Sequence, residues 1–253
     1  MTLAAAPARE DADIESSSEL YARRFVGPVG EWFLELQGRL TLECLRGLPR
    51  GATVLDVGGG HAQLAGPLAD AGFHVTVVGS DPSCGHRLAA LTSAGRCRFD
   101  VADLLALPYA DRAFDAVVCY RLLAHSIDWR RLVAELCRVA RDRVVVDYPA
   151  RRSVNFASET LFRIKNSIER GTTRPFALYG RGEMARAFAS AGFRVTEERP
   201  QFFLPMALYR LAGSAALARG AEGLARSLGA TALLGSPVIA RAYRRTDAVG
   251  SQG

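Results

Sequence analysis

Between Thr53 and Ser83 the sequence alternates so sharply that few folds can hold it. Thr53 to Val57 is a β-branched and apolar run without proline, suited to a parallel strand buried on both faces, and Gly58, Gly59 and Gly60 break it at once. The pattern predicts a helix starting at His61. A second strand, Phe73 to Val78, ends at Gly79 and brings Asp81 to the same edge of the sheet as the glycines. Strand, turn, helix and strand in this order make one unit of a parallel sheet.

What such a unit binds depends on its turn. A dinucleotide site asks for Gly-x-Gly-x-x-Gly/Ala; Gly58 and Gly60 fit, but Gln63 stands in the sixth position. A phosphate-binding loop fails because no Gly-Lys-Ser/Thr follows, and the chain's single lysine is Lys165. Asp56 puts a carboxylate where phosphates would lie, which suits a ligand with a cationic end. The glycines alone are also compatible with a purely structural turn, since any unit of this kind needs one.

The chain has 253 residues, 49% of them apolar, enough for one large α/β core. Its formal net charge is +6, but the arginines are scattered among Ala and Leu and form no basic run, so no nucleic-acid partner is expected. The five cysteines, Cys44, Cys84, Cys97, Cys119 and Cys137, make no Cys-x-x-Cys pair and read as buried thiols of a reducing cytosol, with no metal site. Neither a signal peptide nor a spanning helix is evident, so the expected location is cytoplasmic.

Residues 1–17, rich in Ala, Asp and Ser without apolar periodicity, and the polar residues 247–253 read as flexible tails around a single domain, 18–246. Residues 18–50 form two helices broken near Gly27-Pro28; on the first, Tyr21 and Arg24 are an aromatic and a cation one turn apart, placed to close over a ligand. Beyond Asp81 the reading is a helix from Ser83 to Thr92 capped by Ser83, then a strand Arg96–Phe99. A central strand Phe114–Tyr120, a helix Asp128–Ala140 and a strand Arg143–Asp147 follow. A helix Glu183–Ala191 and a strand Phe193–Glu197 come next, and Pro237–Tyr243 is the last strand. Two helical insertions interrupt this alternation. Residues 148–180 include a helix Ser158–Glu169; residues 201–235 carry Leu204, Leu208, Leu211, Leu217, Leu224 and Leu228, with Arg210, Arg219 and Arg226 on other faces. Both leave the C-terminal ends of parallel strands, the edge where open α/β sheets bind ligands, and are placed to form a substrate lid or simply to decorate the sheet.

Four motifs carry a family resemblance: Val54-Leu-Asp-Val-Gly-Gly-Gly, Gly79-Ser-Asp-Pro-Ser, the run from Asp103-Leu-Leu-Ala-Leu-Pro-Tyr to Val118, and Tyr120-Arg-Leu-Leu-Ala-His-Ser-Ile-Asp-Trp. In this order and strand context the chain resembles the class I S-adenosylmethionine-dependent methyltransferases, in particular the small-molecule group that includes the ubiquinone and menaquinone enzymes. The resemblance implies a Rossmann-like fold with a mostly parallel seven-stranded sheet and an antiparallel last strand. It implies S-adenosylmethionine as cofactor. Gly58 and Gly60 would approach its methionyl part, Asp56 its ammonium group, Asp81 its ribose hydroxyls and Pro82 its adenine. Asp103 and the Leu104 amide would meet the adenine edge, and Tyr120 would lie beside the methionine. The family pattern Asp/Glu-x-Gly-x-Gly-x-Gly ends here in Ala62.

A sulfonium cofactor is already an activated electrophile, so the protein's task is to position a nucleophile, worth roughly 7–11 kcal/mol in favourable cases. No catalytic triad is needed for that. A phenolic nucleophile, with a pKa of about 10, gains from a base; His125 is the candidate, as general base or as a group that only orients the substrate. Phe156, Phe162, Phe176, Phe202, Phe203, Leu204 and Met206 in the insertions form either an apolar pocket or core between lid helices. The expected activity is methylation of a small organic acceptor, preferentially at oxygen, of aromatic, polyketide-like or isoprenoid type. The alternatives are a non-catalytic cofactor-binding regulator or complex subunit, and a C- or N-methyltransferase, including one acting on tRNA. The second insertion can also rest on a membrane surface. No particular oligomeric state is implied.

Overall fold

The computed structural model describes residues 10–154, 176–211 and 213–245. The described part opens with two short helices, α1 (Ala12–Ser16) and α2 (Glu19–Ala22), and a long one, α3 (Pro28–Cys44). The sheet strands are β1 (Thr53–Val57), β2 (His74–Gly79), β3 (Arg98–Val101), β4 (Phe114–Cys119), β5 (Ala140–Tyr148), β6 (Phe193–Pro200) and β7 (Val238–Arg244). Between them run α4 (Ala65–Asp70), α5 (Ala89–Ser93), α6 (Trp129–Val139) and α7 (Arg181–Ser190). The second insertion holds α8 (Met206–Leu211), α9 (Ala215–Ser227) and α10 (Ala230–Leu234).

The strands stand in the order β3-β2-β1-β4-β5-β7-β6. The first five are parallel, with Val54 opposite Val75 on one side and Ala116 on the other. β7 runs antiparallel to both β5 and β6. The expected fold is therefore observed, last strand included.

Alternate residues of β1, β2, β4, β5 and β7 feed two cores, as a pleated backbone buried on both faces requires. Leu55, Val57, Val117 and Val146 pack with Leu132 and Leu136 of α6 and Met184 and Phe188 of α7. Val54, Ala116, Val118, Val145 and Ile239 pack with Phe33, Leu36 and Leu40 of α3 and Leu68 of α4. Asp128 caps α6 by accepting from the Arg131 amide at 3.1 Å. The Arg143 guanidinium donates to the Cys44 and Arg46 carbonyls at 3.2 and 2.9 Å, which holds the C-terminal end of α3 on the sheet.

Three expectations need correction. Residues 10–17 are not a free tail: Glu10, Ala12, Asp13, Ser16 and Ser17 are buried against the strand ends. No helix starts at His61, because Ala62 takes a left-handed backbone (φ 66°); Gly59–His61 is a tight 3-10 turn and α4 begins only at Ala65. The segment after β2 is a 3-10 helix, Pro82–Leu88, followed by α5, and its cap is Asp81, whose carboxylate accepts from the Ser83 amide at 2.8 Å.

The second insertion also packs differently from its leucine pattern. Buried on it are Tyr209, Ala218, Glu222 and Ala225, whereas Leu217, Leu224 and Leu228 are 65%, 62% and 74% exposed. The helix Ser158–Glu169, with Phe156 and Phe162, lies outside the described residues. No helix among the described residues is long and apolar enough to cross a membrane.

Candidate active site

The C-terminal ends of β1, β2, β3 and β4 bring most of the singled-out residues to one edge. At the end of β1 the chain turns through Gly58, whose φ of +71° suits glycine. Gly59, which the motif reading passed over, is as constrained: a Cβ there would collide with the Asp56 carboxylate. A Cβ on Gly60 would collide with the Ser17 hydroxyl and the Cys84 carbonyl oxygen. Asp56 itself is buried beneath the turn, and burial pushes its carboxyl up to about 7, with the nearby Arg121 pulling it back.

Asp81, at the end of β2, is half-buried and holds the following turn through the Ser83 amide; Pro82 is exposed. Asp103, beyond β3, is half-buried and accepts from the Leu105 amide at 2.9 Å, while Leu104 is fully buried beside it. Tyr120, at the end of β4, is turned the other way. Its hydroxyl shares a 2.6 Å hydrogen bond with the Thr41 hydroxyl of α3, and its ring packs in the core on that face.

Next to it, Arg121 was not foreseen. It holds a left-handed backbone (φ 60°) and donates its amide to Asp147 Oδ1 at 2.6 Å. Its guanidinium donates to the Gln63 carbonyl oxygen and lies 5.0 Å from the Phe25 ring centre and 5.9 Å from that of Tyr21. Gln37 of α3 joins the group, donating to Asp147 Oδ2 at 3.2 Å and accepting from Gln63. Burial raises Asp147 to about 6, countered by its bonds to Arg121 and Gln37. A non-glycine residue in this conformation next to a ligand edge is strain of the kind that gathers at functional sites. The bond from Arg121 to Asp147 spans 26 residues, which no local motif reports.

Tyr21 and Arg24 do come together, the guanidinium 4.7 Å over the ring, and Arg24 also faces Glu15 at 3.9 Å. Tyr21 and Phe25 close edge-on against the His61 ring at 6.0 and 5.2 Å. His61 is buried with neither ring nitrogen bonded among the described residues, and burial with Arg121 and Arg87 nearby lowers it to about 3, so the ring is neutral. His125 ends the 3-10 turn Leu123–His125 beyond β4, its ring 5.2 Å from that of Phe176. Of the lid aromatics, Phe202 is core: it packs against Phe33 at 4.4 Å and Trp32 at 5.4 Å.

Over this edge lies the segment from Glu10 to Ser17. Asp13 Oδ2 accepts from the Ser80 amide at 2.7 Å and its Oδ1 from the Ser80 hydroxyl at 2.5 Å. Glu10 Oε2 accepts from the Ser126 hydroxyl at 2.6 Å and the Ile127 amide at 2.9 Å.

Residues 55–146 match the model of a methyltransferase domain. An uncharacterised methyltransferase of Mycolicibacterium gilvum is 38% identical over 92 residues, 36% of this chain and 36% of its own length. A demethylmenaquinone methyltransferase of Renibacterium salmoninarum is 34% identical over 103 residues, 41% of this chain and 42% of its own. The chain thus spans less than half the length of these curated relatives. Among solved structures, the magnesium protoporphyrin IX methyltransferase of Synechocystis, with bound S-adenosylhomocysteine, superposes with a TM-score of 0.62 at 16% identity, over 92% of this chain and 98% of that one. Residues 55–146 are a methyltransferase domain, and the sheet that contains them has the class I methyltransferase fold.

Proposed function

We propose that this chain binds S-adenosylmethionine at the strand ends and transfers its methyl group to a small organic acceptor, at an oxygen of an aromatic, polyketide-like or isoprenoid compound. The observation that carries this reading is the meeting of the Gly58–Gly60 turn, Asp81 and Asp103-Leu104 on one edge of the matched domain. The chemistry of the edge fits such a ligand: the glycine turn presents backbone without side chains, and Asp81 offers two acceptor oxygens for a pair of ribose hydroxyls. The names of the two relatives above that state a substrate, a menaquinone precursor and a magnesium porphyrin, support a small organic acceptor.

The bound cofactor would supply an electrophilic methyl group. The chain's own residues would then bind, orient and exclude water. Asp56, beneath the turn, would face the cationic end of the ligand. Asp81 and Leu104 would fix the nucleoside, and His125 beside Phe176 would orient the acceptor or take its proton. Titration calorimetry of the purified chain with S-adenosylmethionine and S-adenosylhomocysteine should show saturable binding of both. Asp81→Ala should weaken it by roughly 10–100-fold, as expected for charged hydrogen bonds of about 1.5–3 kcal/mol. Heats indistinguishable from dilution for both ligands, in a protein shown to be folded, would refute the reading.

A further inference from the structure

The residues that would hold the cofactor already have an occupant. Asp13 and Glu10 are both 0% exposed although carboxylates are seldom fully buried. Their hydrogen bonds reach Ser80, next to Asp81 at the end of β2, and Ser126 and Ile127, next to His125 beyond β4. Cys84 Sγ adds a third contact to Asp13, at 3.3 Å. Between these anchors α1 crosses the glycine turn. The Asp13 Cβ lies 3.4 Å from where a Cβ of Gly58 would stand, Ser17 abuts Gly60, and Ala12 packs in one apolar cluster with Leu104 and Leu122. Gly58, Gly60 and Leu104 are groups that the reading above gives to S-adenosylmethionine, and Ser80 adjoins a further one, Asp81.

A ligand seated over Gly58 and α1 in this position claim the same space. We infer that α1 is an intramolecular competitor of the cofactor: the segment Glu10–Ser17 plugs the cleft, and the ligand binds the fraction of molecules in which it has moved out. The inference rests on the assignment of that cleft to the cofactor. The plug is built to detach. α1 is five residues long, Ile14 and Glu15 point to solvent, and its hold comes from two carboxylates rather than from a long apolar seam. When only a fraction of molecules is competent, the apparent affinity falls by that fraction, so loosening the plug strengthens binding.

The test is calorimetry with S-adenosylhomocysteine on the full chain and two variants. Asp13→Ala removes the anchor at β2, and Glu10→Gln weakens the anchor at β4 while keeping the side chain's shape. Each should lower the apparent Kd, Asp13→Ala by about tenfold. Thermal melts verify that both variants are folded. In the unmodified chain, hydrogen exchange at the amides of residues 12–18 should speed up when S-adenosylhomocysteine is added. Weaker or unchanged binding by both folded variants, or amides of residues 12–18 that become more protected with ligand, would make α1 a lid closing over the cofactor and overturn the plug alone. Absence of binding by all three proteins would overturn the cofactor assignment and the plug with it.

Discussion

Ala62 holds a backbone conformation that its own side chain disfavours. At φ 66° and ψ 14° it is in the left-handed region, where an L-residue with a Cβ is disfavoured by about 1–2 kcal/mol, and the family pattern has glycine at this position. Glycine loses part of that advantage through its freer unfolded chain, by roughly 0.5–1 kcal/mol. Ala62→Gly should therefore stabilise the protein by up to about 1 kcal/mol, seen as a rise of about 2–4 °C in Tm by calorimetry for a chain of this size. Residues of this kind were legible because their neighbours in sequence are their neighbours in space. Gly58, Gly60, Asp81 and Asp103 each end a strand, and a strand followed by a turn announces itself locally. Asp13 and Arg121 gave no such signal. The partners of Asp13 lie 67 and 71 positions away, and an aperiodic segment such as 10–17 looks the same in sequence whether it is free or folded back on the sheet.

At the scale of elements, the second insertion is organised by a charge. Glu222, buried on α9, accepts from the Phe203 amide at 2.9 Å, the Tyr209 hydroxyl and the Thr231 hydroxyl at 2.8 Å, and pairs with Arg226 at 3.1 Å. One carboxylate thus ties α8, α9, α10 and the strand exit at Phe203. Glu222→Ala leaves these donors buried without an acceptor and should destabilise the protein by about 3–5 kcal/mol, read from urea denaturation, whereas Glu222→Gln should lose less because its carbonyl oxygen still accepts. Periodicity announced the helices here without saying which face turns inward. Ala218 and Ala225 pack inward, whereas Leu217, Leu224 and Leu228 face solvent. Spacing shows that a helix has two unlike faces; which of them meets the protein depends on how closely α3 approaches. Elsewhere, where strands are buried on both sides, no such choice arises and the strand positions were readable; the antiparallel direction of the last strand came from the family resemblance and not from its residues.

For the molecule as a whole, the buried ionisable groups shape stability against pH. Asp56 titrates near 3.8 when unfolded and near 7 when folded, so between these values the folded protein holds a proton that the unfolded chain has released. Stability from this group is fully present below about pH 4 and is lost as pH rises toward 7. His61, lowered to about 3 by burial, acts in the opposite sense, losing stability as pH falls through the unfolded histidine range. The difference in Tm between Asp56→Asn and the unmodified protein isolates the first term. It should shift steadily in favour of the variant from pH 4 to 7 and level off above, and a difference that does not change over that range would contradict the burial argument. The order of the strands adds a consequence for how the chain is made. Among the described residues β6 pairs with β7 alone, and β7 follows it in the chain, wedged between β5 and β6. On the ribosome the first five strands can therefore assemble while translation continues, but β5 keeps an open edge and β6 with its helices waits undocked until Val238–Arg244 has left the exit tunnel. β7 is the keystone of biogenesis, and a message cut short just before it would release a half-closed sheet with an edge ready to pair with another chain.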